Sequence, residues 1–381
     1  MTGSRKSQSF FSRLMRILFV APLPPPVTGH SLASRVLLDD LATTHEVQVV
    51  DLSRDSKHDG AVTVKRAVAV SKSLADIVTK RGRSDVIYLT ISESVTGNIK
   101  DLCIYLLCVF ALSKIYIHLH GGSLRRLLLD RYSILLRLNT MFVKRLGGVI
   151  VSGRSHVSIF DGMIDRRKIH IVPNFAQDQL FVARSDILAK FAACDPLRIL
   201  YISGMTALKG FNDLVDAFFL LQDMLRQRVQ IDFAGIFASE VDKVRFEQRI
   251  SGVTQIHYHG VVDDVVKQRL FAQAHVFCLP TAHLEGQPIS ILEAYASGCV
   301  VVTTLPSGIC DIFTPSIQGF EVQPHSPESI RGVMEQLLVE PKRLSRIALG
   351  NREIAEKNYR TSIYQTRLRS ILERTIAEDC N

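Results

Sequence analysis

The sequence predicts an α/β protein built from two doubly wound parallel sheets that face each other across a cleft. Short apolar, β-rich runs alternate with longer helical patterns up to residue 174, and a second series of the same kind begins at residue 197. Strands that are apolar along their whole length are typical of parallel sheets with helices on both faces. The 381 residues fit about two such domains. Open α/β sheets bind ligands beyond the carboxyl ends of their strands, so we expect the chemistry in the loops that follow the strands.

The first predicted strand is "RILFVAP" at 16–22, and a helix from about Ser31 to Leu41 follows it. The segment 176–196 breaks the alternation of strands and helices, and this indicates the boundary between the two halves. The further predicted strands are 46–52, 85–90, 114–120, 148–153 and 168–174 in the first half, and 197–204, 229–235, 255–260, 275–280, 299–304 and 319–323 in the second.

Four parts of the chain follow from this order. We expect a first domain at 16–180 and a second domain at 181–360. A basic tail at 1–15 precedes them. The last segment, 361–381, has a helical pattern; it need not stay with the second domain and could cross back to the first.

The net charge of +9 favours an anionic partner, such as nucleic acid, an anionic membrane face or a phosphorylated small molecule. The excess of basic residues lies in the N-terminal half, at 1–20 and 121–150. No aromatic residues alternate with these basic residues and no recognition motif is present, so we expect no nucleic-acid partner.

The sequence predicts a cytoplasmic protein, either soluble or peripheral on the inner face of the cell membrane. Basic residues interrupt the apolar stretch near the N-terminus, so no signal peptide is predicted. The longest apolar run, 102–112, is shorter than the roughly 20 residues that cross a bilayer, and we interpret it as a buried helix. The seven scattered cysteines are interpreted as reduced core residues.

The stretch "HLEGQPISILEAYASG" at 283–298 carries an acid in each of two different settings. Glu285 precedes a Gly-Gln-Pro turn, and Pro288 suits the first position of a helix that ends near Gly298. The N-terminus of that helix would offer free N–H groups to an anion. Glu293 lies inside the helix, which is apolar on most faces. A buried acid needs a partner, and the paired hydroxyls of a ribose would supply one; alternatively, Glu293 points to a solvated edge.

Three other loops carry candidate ligand-binding residues. In "YISGMTALKGF" a strand ends at Gly204, and Lys209 precedes a helix N-terminus where an ammonium group would reach a phosphate. Gly29 stands at a helix start after a proline-rich loop and allows close approach of a ligand. In "HLHGG" His118 and His120 share one face of a strand; we expect His120 in the cleft and His118 in the core. Each loop, taken alone, also fits an ordinary strand-to-helix turn.

Together these motifs resemble the retaining nucleotide-sugar glycosyltransferases of family four, also called group one. The resemblance extends from about residue 16 to 360, and its strongest element is E-x7-E, here Glu285 to Glu293, flanked by "LPT" and "ASGCVVVTT". The family implies the GT-B fold, in which two Rossmann-like domains face each other. It also implies a nucleotide-sugar donor and a metal-independent reaction; no D-x-D motif is present, and neither a metal nor a cofactor is expected.

The resemblance also implies roles for individual residues. Glu285 would lie near the donor sugar, Glu293 would bind the ribose, and Lys209 would bind the diphosphate. His120 and Gly29 match the family's cleft histidine and first-loop glycine. Backbone groups of the remaining positions would contact the donor's sugar, phosphate or base: Gly204, Gly260, Val261, Gly286, Gln287 and Ile289.

One departure from the family pattern concerns the phosphate site. Many members have an arginine soon after the glycine of "YISG", and this chain has Met205 there. One positive charge would then be missing, unless Arg154 or another group supplies it. Either donor binding is weaker, or the chain belongs to a subgroup that binds the phosphate in another way.

The acceptor is less clearly indicated by the sequence. The segment 123–148 is predicted to be a basic helix with an apolar face, which could rest on anionic lipid and meet a polyprenyl-linked acceptor; a sheet-covering helix with a solvated basic face is the alternative. The variants "HLHGG" and "EGQP" resemble members that build bacterial exopolysaccharides and lipid-linked glycans. The alternatives for function are a sugar-nucleotide epimerase or hydrolase of the same fold, and a non-catalytic subunit of a glycan-assembly complex.

Overall fold

The computed structural model describes residues 14–53 and 64–379, without the side chains of 64–67 and 375–379. Most of the predicted basic tail, residues 1–13, therefore lies outside the described residues. The described chain forms two six-stranded parallel sheets, one from each half of the sequence. The predicted fold class is confirmed.

The first sheet has the strand order β2-β1-β3-β4-β5-β6. Its central strands are buried along their whole length, as their continuous runs of Val, Ile, Leu and Tyr predict. The chain reverses its direction of winding between β1 and β3, so the loops after these strands open into a crevice at the carboxyl edge. The strands are β1 (Arg16–Ala21), β2 (Glu46–Asp51), β3 (Val86–Thr90), β4 (Ile115–Leu119), β5 (Gly148–Val151) and β6 (Ile169–Ile171).

The second sheet has the order β12-β11-β10-β7-β8-β9, with the same change of winding between β7 and β10. Its hydrophobic core includes Tyr201, Phe233 and Tyr295, each fully buried. The strands are β7 (Leu197–Ile202), β8 (Val229–Ala234), β9 (Ile256–Tyr258), β10 (Val276–Leu279), β11 (Val300–Thr303) and β12 (Gly319–Glu321).

Helices cover both sheets. The α-helices are α1 (Gly29–Thr44), α2 (Val64–Arg81), α3 (Val95–Leu107), α4 (Ser133–Val143), α5 (Arg184–Ala192), α6 (Phe211–Leu220), α7 (Asp223–Arg226), α8 (Glu240–Ile250), α9 (Asp264–Gln273), α10 (Ile289–Ala296), α11 (Pro327–Leu337), α12 (Pro341–Asn358) and α13 (Thr361–Asp379). Within the described ranges, every helix is too short or too polar to span a bilayer.

The last helix contacts the first half of the chain. The Gln365 side chain donates a hydrogen bond of 3.1 Å to the Val36 carbonyl of α1, and Arg369 forms an ion pair with Asp40 at 2.9 Å. Tyr364 is buried in the same hydrophobic cluster as strand β1. The chain passes from the first lobe to the second near residue 176. Helix α13 provides a second connection, because it follows the second lobe in the chain and packs on the first.

Three sequence-based expectations about local structure are wrong. The segment 123–148 is not one helix, because a π-helical turn, Arg125–Leu129, is separated from α4 by an irregular segment. The run 102–112 is not uniformly buried: α3 ends at Leu107, and the Phe110 side chain that follows is 99% exposed. Cys103 and Cys310 are exposed as well, so not every cysteine is a core residue.

Candidate active site in the cleft between the lobes

The centre of the candidate site is an ion pair between Lys209 and Glu285. The Lys209 Nζ lies 2.5 Å from Glu285 Oε1, and the Thr281 hydroxyl donates to the same carboxylate oxygen at 3.0 Å. The two side chains are only 19% and 9% exposed. A partly buried pair of this kind is held in one geometry, and its ammonium group is available to share with an anion.

The local fold explains why Lys209 meets Glu285. Gly210 adopts a φ of +76°, and a Cβ at this position would lie 2.2 Å from the Pro280 carbonyl oxygen. The loop before α6 therefore lies against the loop after β10, where the Ala282 amide donates to the Leu208 carbonyl at 2.8 Å. These two strand-to-helix loops of the second lobe are hydrogen-bonded side by side, and each contributes one residue of the ion pair.

Glu293 is buried in α10, at 2% exposure, and it has a protein partner. Lys267 of α9 places its Nζ 2.5 Å from Glu293 Oε1 and donates a second bond to Gln177 at 2.7 Å. Burial raises the pKa of Glu293, and the neighbouring Lys267 ammonium opposes this shift. The solvated-edge alternative is excluded by the burial. The sequence did not predict Lys267 as a site residue, because nothing in "DDVVKQR" indicates that it pairs with an acid 26 residues later.

The segment 286–289 forms a close contact between the lobes. A Cβ at Gly286 would lie 1.8 Å from the His120 carbonyl oxygen, so only glycine fits this approach. Gln287 accepts two hydrogen bonds of 2.7 Å from Asn174 of the first lobe, one from its backbone amide and one from its side-chain amide. Ile289 packs into the hydrophobic cluster of the first lobe, and its Cδ1 lies 3.8 Å from the Cβ position of Gly29. The structure thus brings Gly29, His120 and the residues around Glu285 together at the contact between the lobes.

A second contact between the lobes adjoins the first. The Ser155 amide and hydroxyl both donate to the carboxylate of Asp311, at 3.0 and 2.6 Å from Oδ2. His156 Nε2 lies 3.3 Å from the carbonyl oxygen of Glu285. Arg154, which the sequence analysis considered as a substitute phosphate ligand, is exposed beside this contact. These residues were missed because Ser155 and Asp311 are 156 positions apart and carry no motif.

Three histidine rings contact one another, at tilted angles, at the edge of the cleft. The rings of His118 and His120 lie 4.0 Å apart, and the ring of His30 lies 4.4 Å from that of His120. The Tyr88 hydroxyl is 2.7 Å from Nδ1 of His118. The Nε2 atoms of His30 and His120 are buried without a hydrogen-bond partner in the described structure. A polar ligand with hydroxyl groups would satisfy such atoms.

Burial keeps these histidines neutral. It lowers the pKa of His30 to about 4 and that of His118 to about 3, and it lowers the pKa of His120 as well. Neutral imidazoles act as hydrogen-bond donors or acceptors for sugar hydroxyls, not as fixed positive charges. His30 was not among the predicted site residues, although it directly follows the candidate Gly29.

The histidine cluster predicts a loss of stability in mild acid. The unfolded chain binds protons at these histidines near pH 6.5, whereas folded His30 does so only near pH 4. The free energy of unfolding should therefore fall as the pH falls through this window, by about 2 to 3 kcal/mol for His30 alone. Urea unfolding of wild type and His30→Asn between pH 7 and pH 4 measures this. The variant should have the shallower slope. Parallel curves for wild type and His30→Asn would contradict the neutral cluster.

The remaining predicted residues surround this centre. The Tyr201 hydroxyl donates hydrogen bonds to the carbonyls of Gly204 and Lys209, at 3.3 and 3.4 Å. Gly204 and Lys209 therefore lie side by side. Gly260 lies just after β9 and has a φ of +66°. Its carbonyl accepts a hydrogen bond from the amide of Gly235, which follows β8. The neighbouring Val261 is 72% exposed. Among the residues the structure covers, no group of three or more His, Cys, Asp or Glu side chains is placed to hold a metal ion.

Met205 does not face the cleft. Its side chain is fully buried in the hydrophobic core of the second lobe, and its amide donates to the Ile236 carbonyl at 2.8 Å. Packing in this core explains why an apolar residue occupies position 205. Its presence therefore does not argue for a non-catalytic protein.

Residues 196–340 match the model of the family described as "Glycosyl transferases group 1". The match lies within the second lobe, and over this segment the chain is similar to the group 1 glycosyl transferases. The matched segment contains Lys209 and both glutamates of the E-x7-E motif, Glu285 and Glu293.

One curated relative of this chain is an uncharacterized glycosyltransferase of Methanocaldococcus jannaschii, 23% identical over 171 residues. The alignment covers 45% of this chain and 41% of the relative, so the chain spans less than half the length of that protein.

Solved structures share the fold over nearly the whole chain. HepE of Anabaena, in complex with UDP and glucose, has a TM-score of 0.73 at 16% identity, covering 94% of this chain and 100% of HepE. Sucrose-phosphate synthase from Thermosynechococcus elongatus has a TM-score of 0.72 at 14% identity, covering 96% and 100%. The two facing sheets therefore form a GT-B fold.

Proposed function

We propose that this protein is a retaining glycosyltransferase that moves a sugar from a nucleotide-diphosphate sugar to a glycan or lipid-linked acceptor. One observation supports this most strongly: the ammonium group of Lys209 is held by buried Glu285 beside the N-terminus of α10, at the contact between the two lobes. Pro288 is the N-cap residue of α10 and its side chain makes no capping hydrogen bond, so the cap does not compete with a ligand for the first N–H groups of the helix. An ammonium group together with a helix N-terminus is a site for a diphosphate.

In this proposal the donor lies along the second lobe. Lys209 and the backbone amides of Gly286, Gln287 and Ile289 hold the diphosphate and the sugar. Glu293 binds the ribose hydroxyls and shares its carboxylate with Lys267, which fixes the orientation of the acid. Gly204, Gly260 and Val261 border the nucleotide. Gly29 allows the donor to approach the first lobe, and the free Nε2 of His120 hydrogen-bonds a sugar hydroxyl.

The proposed reaction proceeds on one face of the sugar. The bond between the anomeric carbon and the diphosphate oxygen breaks while the acceptor oxygen forms its bond from the same side, and a phosphate oxygen takes the acceptor's proton. Lys209 and the N-terminus of α10 stabilise the charge that develops on the leaving diphosphate, without a metal ion. Glu285 positions Lys209 and lies near the sugar, so it has two roles at the reacting centre.

For the acceptor, we propose a cell-surface glycan or a polyprenyl-linked glycan in bacterial polysaccharide synthesis, with the enzyme at the inner face of the membrane. The support is the "HLHGG" and "EGQP" resemblance and the basic surface of residues 125–145. A hexose donor is proposed because the Anabaena HepE structures contain UDP with glucose and UDP-glucose.

The proposal predicts donor binding that needs no metal. Thermal denaturation with UDP-, GDP- and ADP-sugars in excess EDTA should raise the melting temperature for one nucleotide class, because a ligand that binds only the folded state stabilises it. The same donor should then be consumed only when an acceptor is added, with retention of anomeric configuration. No shift with any nucleotide sugar, or a requirement for Mg²⁺, would contradict the proposal. Turnover of the donor without an acceptor would instead favour the epimerase or hydrolase alternative.

A further inference from the structure

An apolar surface on the first lobe remains outside the candidate active site. Five exposed residues follow one face of α3 and the turn after it, at spacings of three or four: Val95, Ile99, Cys103, Leu106 and Phe110. Leu106 is 63% exposed and Phe110 is 99% exposed. Apolar residues at this spacing usually face a core, but the opposite face of α3 already does so, through Ile104 and Tyr105.

Helix α4 continues this surface. Its outward face presents Ile134, Leu138 and Met141, which are 70%, 38% and 44% exposed. The inner faces of α3 and α4 contact each other, and the side chains of Asn98 and Asn139 exchange hydrogen bonds of 3.1 and 2.9 Å there. Successive crossovers β3-α3-β4 and β4-α4-β5 place both helices on the same side of the sheet. The two apolar stripes therefore form one continuous outer layer, which we call the α3–α4 face.

The charges around the α3–α4 face are nearly all positive. Asp130 is the single acid between residues 123 and 147, and it is already paired with Arg125 at 3.0 Å. The exposed basic residues on and beside α4 are Arg126, Arg131, Arg137, Lys144 and Arg145. Two copies of this face brought together would oppose these like charges, which disfavours a dimer. Apolar side chains within a basic field instead match the interface of an anionic bilayer.

We propose that the α3–α4 face docks on the surface of an anionic lipid bilayer. Leu106, Phe110 and Ile134 enter the boundary between headgroups and acyl chains, and the basic residues contact the lipid phosphates. The face also reaches the active site: Glu93, two residues before α3, accepts a 2.6 Å hydrogen bond from Ser123, in the loop after His120. If the proposed transferase function holds, a lipid-borne acceptor on the docked face is presented at the first lobe's side of the cleft.

Co-sedimentation of the full chain with vesicles tests this inference. We expect binding to vesicles of phosphatidylcholine containing one third phosphatidylglycerol, little binding to phosphatidylcholine alone, and loss of binding at high salt. Arg131→Glu with Arg137→Glu should lower the partition coefficient at least about 20-fold, because each basic residue near such a surface contributes roughly fivefold. Leu106→Glu with Phe110→Glu should also abolish binding.

Matched controls lie on the second lobe. Met224→Glu with Val339→Glu changes residues that are 82% and 71% exposed, and Lys342→Glu with Arg346→Glu makes the same change in charge; both should bind like wild type. Donor-induced stabilisation, measured on each variant, is expected to stay unchanged and separates this inference from the proposed reaction. Equal binding to neutral and anionic vesicles, or full binding by the α3–α4 variants, would overturn the inference. So would a dimer in size-exclusion chromatography that Leu106→Glu with Phe110→Glu dissociates.

Discussion

Replacing Lys209 by alanine is expected to lower kcat/KM for the nucleotide sugar by roughly 100- to 1000-fold, the range found when one charge-stabilising donor is removed. Two effects act together. The leaving diphosphate loses its ammonium partner, and the carboxylate of Glu285, whose side chain is 9% exposed, is left without a counter-ion beside it. Steady-state kinetics with the donor found by thermal denaturation measure the loss, and donor titration separates weaker binding from slower turnover.

A second variant separates the two effects. In Lys209→Ala with Glu285→Gln, the unpaired negative charge is removed, so donor binding should recover partly while kcat stays low. The exposed lysine Lys342→Ala serves as the matched control and should keep wild-type kinetics. Unchanged kcat/KM and donor affinity in Lys209→Ala would remove the ion pair from the proposed site.

Gly286→Ala is expected to lower activity by roughly 100-fold, the cost of a misplacement of about 1 Å at an active site. The added Cβ would lie 1.8 Å from the His120 carbonyl oxygen, so the lobes could not meet as they do here. The backbone of Gly286 is not in the left-handed region, and the effect is therefore steric. Small-angle X-ray scattering should show a larger radius of gyration for the variant, with an unchanged circular dichroism spectrum.

Gly350→Ala provides the contrast within helix α12. A Cβ at Gly350 meets no atom within 4 Å, and alanine has the higher helix propensity, so the free energy of unfolding should rise by up to about 1 kcal/mol. Its kinetics should match wild type. Wild-type activity and scattering for Gly286→Ala would show that the close contact between the lobes is not part of the active form.

The sequence predicts the candidate site through patterns that are local in the chain. Glu285, the Gly-Gln-Pro turn and the helix that follows are contiguous, and Lys209 stands in the equivalent loop after another strand. Loops after parallel strands meet at one edge of a sheet, so a pattern of strands was sufficient to bring these residues together. The fold class was predicted for the same reason.

The partners of these residues could not be predicted in this way. Lys267 pairs with Glu293, and Asn174 with Gln287, across elements far apart in sequence, and neither pair has a spacing that a single sequence reveals. Met205 shows the opposite error: its position in a motif indicated a missing phosphate ligand, whereas its side chain packs in the core. A motif gives the order of residues along a loop, but the direction of each side chain depends on the tertiary contacts of that loop.

The α3–α4 face illustrates a second limit. The apolar run 102–112 has the composition of a core helix, and hydropathy alone does not show that Leu106 and Phe110 point outward. The burial of the other face of α3 against α4 decides this, and the hydrogen-bonded pair Asn98–Asn139 is part of that contact.

A crystal structure with the bound donor, prepared in EDTA, tests the central claim most directly. The proposal predicts the diphosphate between the lobes, with one phosphate oxygen about 3 Å from Lys209 Nζ and others on the amides at the N-terminus of α10, and the ribose hydroxyls on Glu293. A nucleotide bound away from Lys209, or ribose hydroxyls that do not contact Glu293, would contradict it.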